Sequence, residues 1–178
     1  QLMSLLKSIY GNKAIQVDFY DPHFMSDKKK LHGMLEDIID TLVKAEYEGK
    51  LLFELEDSRN INTWLYFHSI NVCFLSIGMA IKFGLSKQEI MEIALGAIYH
   101  DLGKAWFADS LVNKQGLSEV ERKTLREHPE KMFRFLQKHN YSVSTLYAVW
   151  QHHEKANGEG YPSGLKGGKI VDSAKIVA

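Results

Sequence analysis

The sequence predicts an all-α fold, a bundle of about six or seven helices with an irregular glycine-rich loop near the C-terminus. Three observations carry this. Apolar residues recur at spacings of three and four, the repeat of one helix face. Two capping boxes, Ser86 with Glu89 and Ser118 with Glu121, mark helix starts. No stretch alternates apolar and polar residues as a strand does, and there is no internal repeat or low-complexity tract.

Residues 1–25 are weakly patterned, with turn signals at Gly11-Asn12 and Asp21-Pro22, and read as a linker or the edge of a further domain. From Ser26, the residues Leu31, Met34, Leu35, Ile38, Ile39, Leu42 and Val43 form an apolar stripe backed by charged residues. An amphipathic helix is therefore expected, ending near Glu48-Gly49 and serving either as a bundle helix or as a connector to a sensor domain. The next helix is expected to turn Ile61, Leu65, His68, Val72, Leu75 and Met79 inward and to stop at Gly84. The helix capped by Ser86 carries Ile90, Ala94, Ala97 and then Asp101 on its inner face, with His100 beside it and Gly103 as its end. A loop is expected as far as Gly116. The helix capped by Ser118 is predicted to run on through Leu125, His128, Met132, Phe135 and Leu136. Ser142 caps the last helix, with the stripe Val143, Leu146, Tyr147, Trp150 and His153, and with His152 about 100° round the axis. Asn157-Gly158, the glycines at 160, 164 and 167, and Pro162 then exclude helix. A backbone so poor in side chains can approach a ligand closely, and Tyr161 stands in it as an aromatic hydroxyl.

A chain of 178 residues supports one well-formed core. Lys plus Arg equals Asp plus Glu at 22 each, so net charge points to neither a nucleic-acid duplex nor an anionic membrane. The single Cys73, flanked by Val72 and Phe74, excludes an internal disulfide and reads as a buried, inert thiol in a reducing compartment. With no apolar run of about 20 residues and no signal peptide, the expected location is cytoplasmic. The chain opens without Met and stops in I-V-A, which reads as a piece of something longer.

The chemistry lies in the histidines. Four consecutive predicted helices place them inward: His68, His100 with Asp101, His128, and His152 with His153. A lone inward histidine is usually hydrogen-bonded to a carbonyl. Five imidazoles and a carboxylate in one core must all be satisfied, at about 1–3 kcal/mol for each group left unpaired, and divalent cations satisfy them together. The set exceeds the needs of one tetrahedral zinc, so two cations bridged by Asp101 fit better, and mixed imidazole and oxygen ligands suit iron, manganese, nickel or zinc. Such a pair is a device for phosphodiester hydrolysis. Lys104, three residues past Asp101, is placed to reach a phosphate oxygen. His23, His32 and His139 are read as surface or packing residues.

H-D-L-G-K at 100–104, H-S-I-N-V at 68–72, E-H-P at 127–129 and H-H-E-K-A-N-G-E-G-Y-P-S-G-L at 152–165 resemble the HD-GYP family, cyclic di-GMP phosphodiesterases within the HD superfamily of metal-dependent phosphohydrolases. The resemblance covers roughly residues 60–178 and divides the chain into an N-terminal segment, 1–57, and a C-terminally incomplete phosphohydrolase domain, 58–178. It implies a bundle of the HD superfamily type, with His68, His100, Asp101, His128, His152 and His153 as metal ligands. Asp101 and Lys104 are the implied catalytic residues. Lys104, Gly158, Gly160, Tyr161 and Pro162 are the implied substrate contacts. It further implies hydrolysis of cyclic di-GMP to linear pGpG or to GMP with two divalent cations, iron or manganese foremost, and a sensor or diguanylate cyclase (GGDEF) domain as partner.

The sequence also departs from the family's pattern. Asn157 replaces the usual Asp, which removes one charge at the loop entrance and is expected to loosen it. Trp64 stands where some members carry a Glu for a third metal, so two are expected. The stretch after Lys104 keeps only a trace of the family's Ile-Pro-Asp and Lys-Pro-Gly pattern. A further Asp ligand and phosphate-gripping basic residues are expected beyond Ala178. The alternative to an enzyme is a degenerate module that binds nucleotide or a cyclase partner without turnover.

Overall fold

A computed structural model describes residues 22–47 and 61–178. Its elements are α1 (Pro22–Tyr47), α2 (Ile61–Lys82), α3 (Lys87–Tyr99), a 3-10 turn (Leu102–Trp106), α4 (Asp109–Val112), α5 (Glu119–Leu125), α6 (His128–Lys138), α7 (Val143–Gln151), a second 3-10 turn (Gly167–Lys169) and α8 (Asp172–Val177). Among the described residues the only strand-like pairing is an isolated bridge between Asn157 and Lys166. The turn signals of residues 1–21 and the expected helix end at Glu48-Gly49 lie outside the described residues, as do the side chains of His23 and Trp64.

α3 forms the centre. Apart from Glu92, its residues from Ile90 to Tyr99 are buried, and α1, α2, α7 and α8 pack around it. A helix enclosed on all sides needs apolar residues around its whole circumference, and the run from Ile90 to Tyr99 supplies them. The Ser86 and Ser118 capping boxes form as expected, each serine accepting from the third helical amide while the glutamate accepts in return from the serine N–H.

Four expectations are corrected. α3 ends at Tyr99, with His100 as its cap and Asp101 leading into the 3-10 turn, so these two residues sit at a helix terminus and Gly103 ends nothing. The stretch before Gly116 is not all loop but holds this turn and the short α4. The helix capped by Ser118 stops at Leu125, and a new one starts at His128, because Pro129 lacks an amide hydrogen and fits the first turn of a helix rather than its middle. The inward faces of α2 and α7 are also not those the apolar count selected. α2 buries Ser69, Ile70, Cys73, Ile77 and Ala80 and leaves Leu75 and Met79 exposed; α7 buries Thr145, Leu146, Ala148 and Val149 and leaves Val143 and Tyr147 exposed. Small residues mark where helices approach closely, and an apolar count undervalues them.

α1 packs into the bundle, with Leu31, Leu35 and Ile39 at 0% exposure against α2 and α3. Lys28 Nζ also donates to the His139 carbonyl at 2.8 Å, tying α1 to the end of α6. This helix is therefore part of the core and should unfold with it. Leu35→Ala is expected to lower stability by about 3 kcal/mol in a single transition; a separate early transition, or an unchanged urea midpoint, would show that α1 is only loosely attached.

Candidate metal centre

Each histidine reaches the centre from the end of an element. His100 caps α3, His128 opens α6, and His152 caps α7 with His153 just beyond it. His68 comes from the second turn of α2. Three of them are oriented by one repeated device. His100 Nδ1–H donates to the Ala97 carbonyl at 2.7 Å, His128 Nδ1–H to that of Leu125 at 2.8 Å, and His152 Nδ1–H to that of Val149 at 2.7 Å. A carbonyl only accepts, so in their neutral form these rings carry their proton on Nδ1 and present a bare Nε2 lone pair inward. That is the form in which imidazole binds a metal.

Asp101 lies between two groups of these nitrogens. Its Oδ2 is 3.6 Å from His68 Nε2 and 3.5 Å from His100 Nε2; its Oδ1 is 3.2 Å from His128 Nε2 and 3.7 Å from His152 Nε2. Two ligand sets result, His68 with His100 and Asp101, and Asp101 with His128, His152 and His153, each with its ligand atoms within 4.8 Å of one another. Asp101 is the member they share.

The polar accounting is incomplete without cations. His128 Nε2 and His152 Nε2 face each other at 3.4 Å although both rings have placed their proton on Nδ1. Asp101 Oδ1 and His153 Nε2 are buried with no hydrogen-bond partner among the described residues. Protonation does not relieve this near neutral pH. Burial pushes His100 down to about 3 and His153 down to about 2, and it holds His128 and His68 below their ordinary value, against the attraction of Asp101. Burial would raise the Asp101 carboxyl, but the imidazoles headed by His100 and the Lys104 ammonium hold it well below the usual carboxylate range. A buried carboxylate among neutral imidazole lone pairs fits divalent cations.

The remaining site residues gather beside this cluster. Lys104 Nζ donates to Asp101 Oδ2 at 2.7 Å. Gly103 makes that placement possible, because a Cβ there would sit 2.3 Å from the His128 carbonyl oxygen. The Tyr161 ring stacks on His153 with centroids 4.6 Å apart. Gly160 lies against the backbone of Glu154 and Lys155, where a Cβ would come within 2.3 Å of an amide nitrogen. Gly158 faces the Lys166 side chain, and Pro162 is exposed. At the loop entrance Asn157 Oδ1 accepts from the Glu159 amide at 3.0 Å while its own amide donates to Glu159 Oε2 at 2.8 Å. The second bond is one an aspartate could not make. Of the remaining histidines, His32 is exposed, and His139 Nδ1–H donates to the Phe135 carbonyl.

Sequence reasoning missed Glu154. This carboxylate is 7% exposed and accepts from the Ser163 amide at 2.6 Å and the Leu165 amide at 2.8 Å, pinning both sides of the loop that carries Tyr161. An acid directly after two histidines, before a loop rich in unpaired amides, was the available signal. Gln151 was missed too; it accepts from the Val171 amide at 2.8 Å and fixes the start of α8.

Two outcomes follow. In Glu154→Gln, bound metal should be retained while hydrogen exchange at the Ser163 and Leu165 amides rises roughly tenfold or more, since one of two charge-assisted bonds is lost; unchanged exchange at both amides would remove Glu154 from this role. The folded, metal-free protein keeps His100, His153, His128 and His68 neutral where the unfolded chain's imidazoles bind protons. Its stability should therefore fall as pH drops below about 6.5 and continue falling toward about 3. Asp101, with its folded value depressed, adds to the loss only as pH falls below its ordinary 3.8. Equal urea midpoints at pH 7 and pH 5 after chelation would contradict the neutral assignment.

The family model described as HD domain matches residues 58–178. The chain is 34% identical over 170 residues to a cyclic di-GMP phosphodiesterase of Thermotoga maritima, covering 90% of this chain and 45% of that protein. It is 38% identical over 104 residues to the cyclic di-GMP phosphodiesterase response regulator RpfG of Xanthomonas campestris pv. campestris, covering 56% and 27%. It is 33% identical over 129 residues to the cyclic di-GMP phosphodiesterase PA4108 of Pseudomonas aeruginosa, covering 71% and 31%. The chain thus spans less than half the length of these curated relatives. Among solved structures, Bd1817, an HDG"Y"P protein from Bdellovibrio bacteriovorus, superposes with a TM-score of 0.69 at 19% identity, over 99% of this chain and 63% of that one. Paired ligand sets on a shared aspartate, the adjoining Gly-Tyr-Pro loop and these matches together make the chain a member of the HD domain family, in its HD-GYP branch.

Proposed function

We propose that this chain is the catalytic part of a phosphodiesterase that hydrolyses cyclic di-GMP to linear pGpG or GMP with two divalent cations. The observation that carries the proposal is Asp101, which turns one carboxylate oxygen toward each of two ligand sets. The relatives' names supply the substrate.

When bound, divalent cations would lower the pKa of a water and steady charge on the reacting phosphate. His68 and His100 would hold one cation and His128, His152 and His153 the other, with Asp101 shared between the two sets. The donor set favours iron or manganese, with nickel and zinc as alternatives. Lys104 Nζ, now on Asp101 Oδ2, is within reach of a phosphate oxygen placed beside that carboxylate, where it offsets developing negative charge. Tyr161, fixed against His153 and held by the loop that Glu154 pins, offers its ring and hydroxyl to the nucleotide. Gly158, Gly160 and Pro162 shape that loop without filling the space in front of it. Among the described residues no helix is long and apolar enough to cross a membrane. The proposal places the reaction in the cytoplasm, under control of a sensor domain or in company with a GGDEF cyclase domain.

The protein should take up two equivalents of manganese or iron and then convert cyclic di-GMP to linear product. Asp101→Ala should lose at least one equivalent and reduce turnover roughly a hundredfold or more. Nucleotide binding without turnover in fully loaded wild-type protein would return the degenerate module, and undiminished activity in the variant would remove the bridging role.

A further inference from the structure

We propose that Arg126 is a substrate-binding residue, which grips the phosphate of the nucleotide that is not being cleaved. The inference rests on the proposed cyclic dinucleotide activity and adds a contact on the far side of Tyr161 from the cation positions.

Arg126 caps the C-terminus of α5, two residues before His128, so the backbone that sets a ligand of one cation set also sets this side chain. Its guanidinium carbon lies 5.0 Å over the centre of the Tyr161 ring. His153 already stacks on that ring with centroids 4.6 Å apart and planes 25° from parallel, which leaves Arg126 the opposite face. The three groups form a short pile, His153, Tyr161, Arg126, that leads from the buried ligands to solvent.

Three cations on the same stretch have carboxylate partners, Lys114 with Glu121, Lys131 with Glu127, and Arg134 with Glu130, and Arg122 donates to the Leu117 carbonyl. Among the described residues Arg126 has no ion pair and no side-chain hydrogen bond, although it is exposed. Stacking uses the face of the guanidinium, while its five N–H donors point outward in the plane. An arginine whose charge rests over an aromatic ring keeps N–H donors that the ring does not use. Those donors match two oxygens of a phosphate diester, where a lysine would offer only a point charge. A cyclic dinucleotide carries two phosphodiesters. When one lies beside Asp101 and Lys104, the other must lie away from the cations, toward the rim, where Arg126 supplies charge that the ligand cluster does not.

The test uses the full chain loaded with manganese, as wild type, Arg126→Ala and Arg126→Lys. Metal content is measured in each, kcat and KM are measured for cyclic di-GMP, and calorimetric affinities are measured for GMP and guanosine. Arg126→Ala should keep its metal, raise KM about tenfold with kcat changed less than threefold, and lose affinity for GMP but not for guanosine. Arg126→Lys should recover only part of the loss. An unchanged KM, or a fall in kcat alone, overturns the assignment; so does equal loss of affinity for GMP and guanosine, which would mean that the arginine serves the base or only props Tyr161. If loaded wild-type protein does not hydrolyse cyclic di-GMP, the proposed function fails on its own account. Arg126 is then judged by calorimetric affinity for cyclic di-GMP and GMP, where equal binding in wild type and Arg126→Ala, or no binding in either, overturns it.

Discussion

A carboxylate buried among imidazole lone pairs is the constraint on which this protein is built. Asp101 is 2% exposed, and the Nε2 atoms of His100, His128 and His152 beside it are not hydrogen-bond donors, because these three rings have given their protons to carbonyls one helical turn back. Only the Lys104 ammonium offsets its charge directly, and it does so at one oxygen. Burial alone would raise this carboxyl, and its neighbours hold it instead well below the usual carboxylate range, so the surrounding fold must keep those neighbours in place. The enclosure of α3 provides that rigidity, since every residue from Ile93 to Tyr99, leading into His100 and Asp101, is buried.

Four of the five candidate ligand histidines sit at helix ends for a geometric reason. The final carbonyls of a helix have no partner within it, and a histidine just past the last turn can satisfy one of them with Nδ1 while directing Nε2 outward along the axis. His100 and His152 use the ends of α3 and α7 in this way, and His128 uses the last turn of α5 while opening α6. The interruption at Pro129 is thus part of the site, because a helix running unbroken from Ser118 would need that carbonyl for its own ladder. The close approach of Gly103 to the His128 carbonyl then joins the turn carrying Lys104 to the start of α6.

Much of this was legible in the sequence, for local reasons. The capping boxes at Ser86 and Ser118 depend on residues three apart and were read correctly. The convergence of His68, His100, Asp101, His128, His152 and His153 followed from asking what a core must do with so many polar groups. Faces were harder. Leu75 and Met79 on α2, and Val143 and Tyr147 on α7, are apolar yet exposed, whereas Ser69, Cys73, Ser76, Thr145 and Ala148 face neighbours. Periodicity weighs hydrophobicity, while close packing selects for size. The contacts of Glu154 and Arg126 join a helix end to a loop, and nothing in residue spacing reports which amides or which ring will lie opposite.

The depth at which α1 is buried bears on where this fold can be cut. The matched family begins at residue 58, but Leu31, Leu35 and Ile39 lie upstream and are wholly enclosed. A fragment trimmed to the family boundary would bare a strip of α2 and α3 that normally never meets water, and exposed apolar strips of that kind draw molecules together. The boundary of the matched family model and that of the physical unit therefore differ here by one helix.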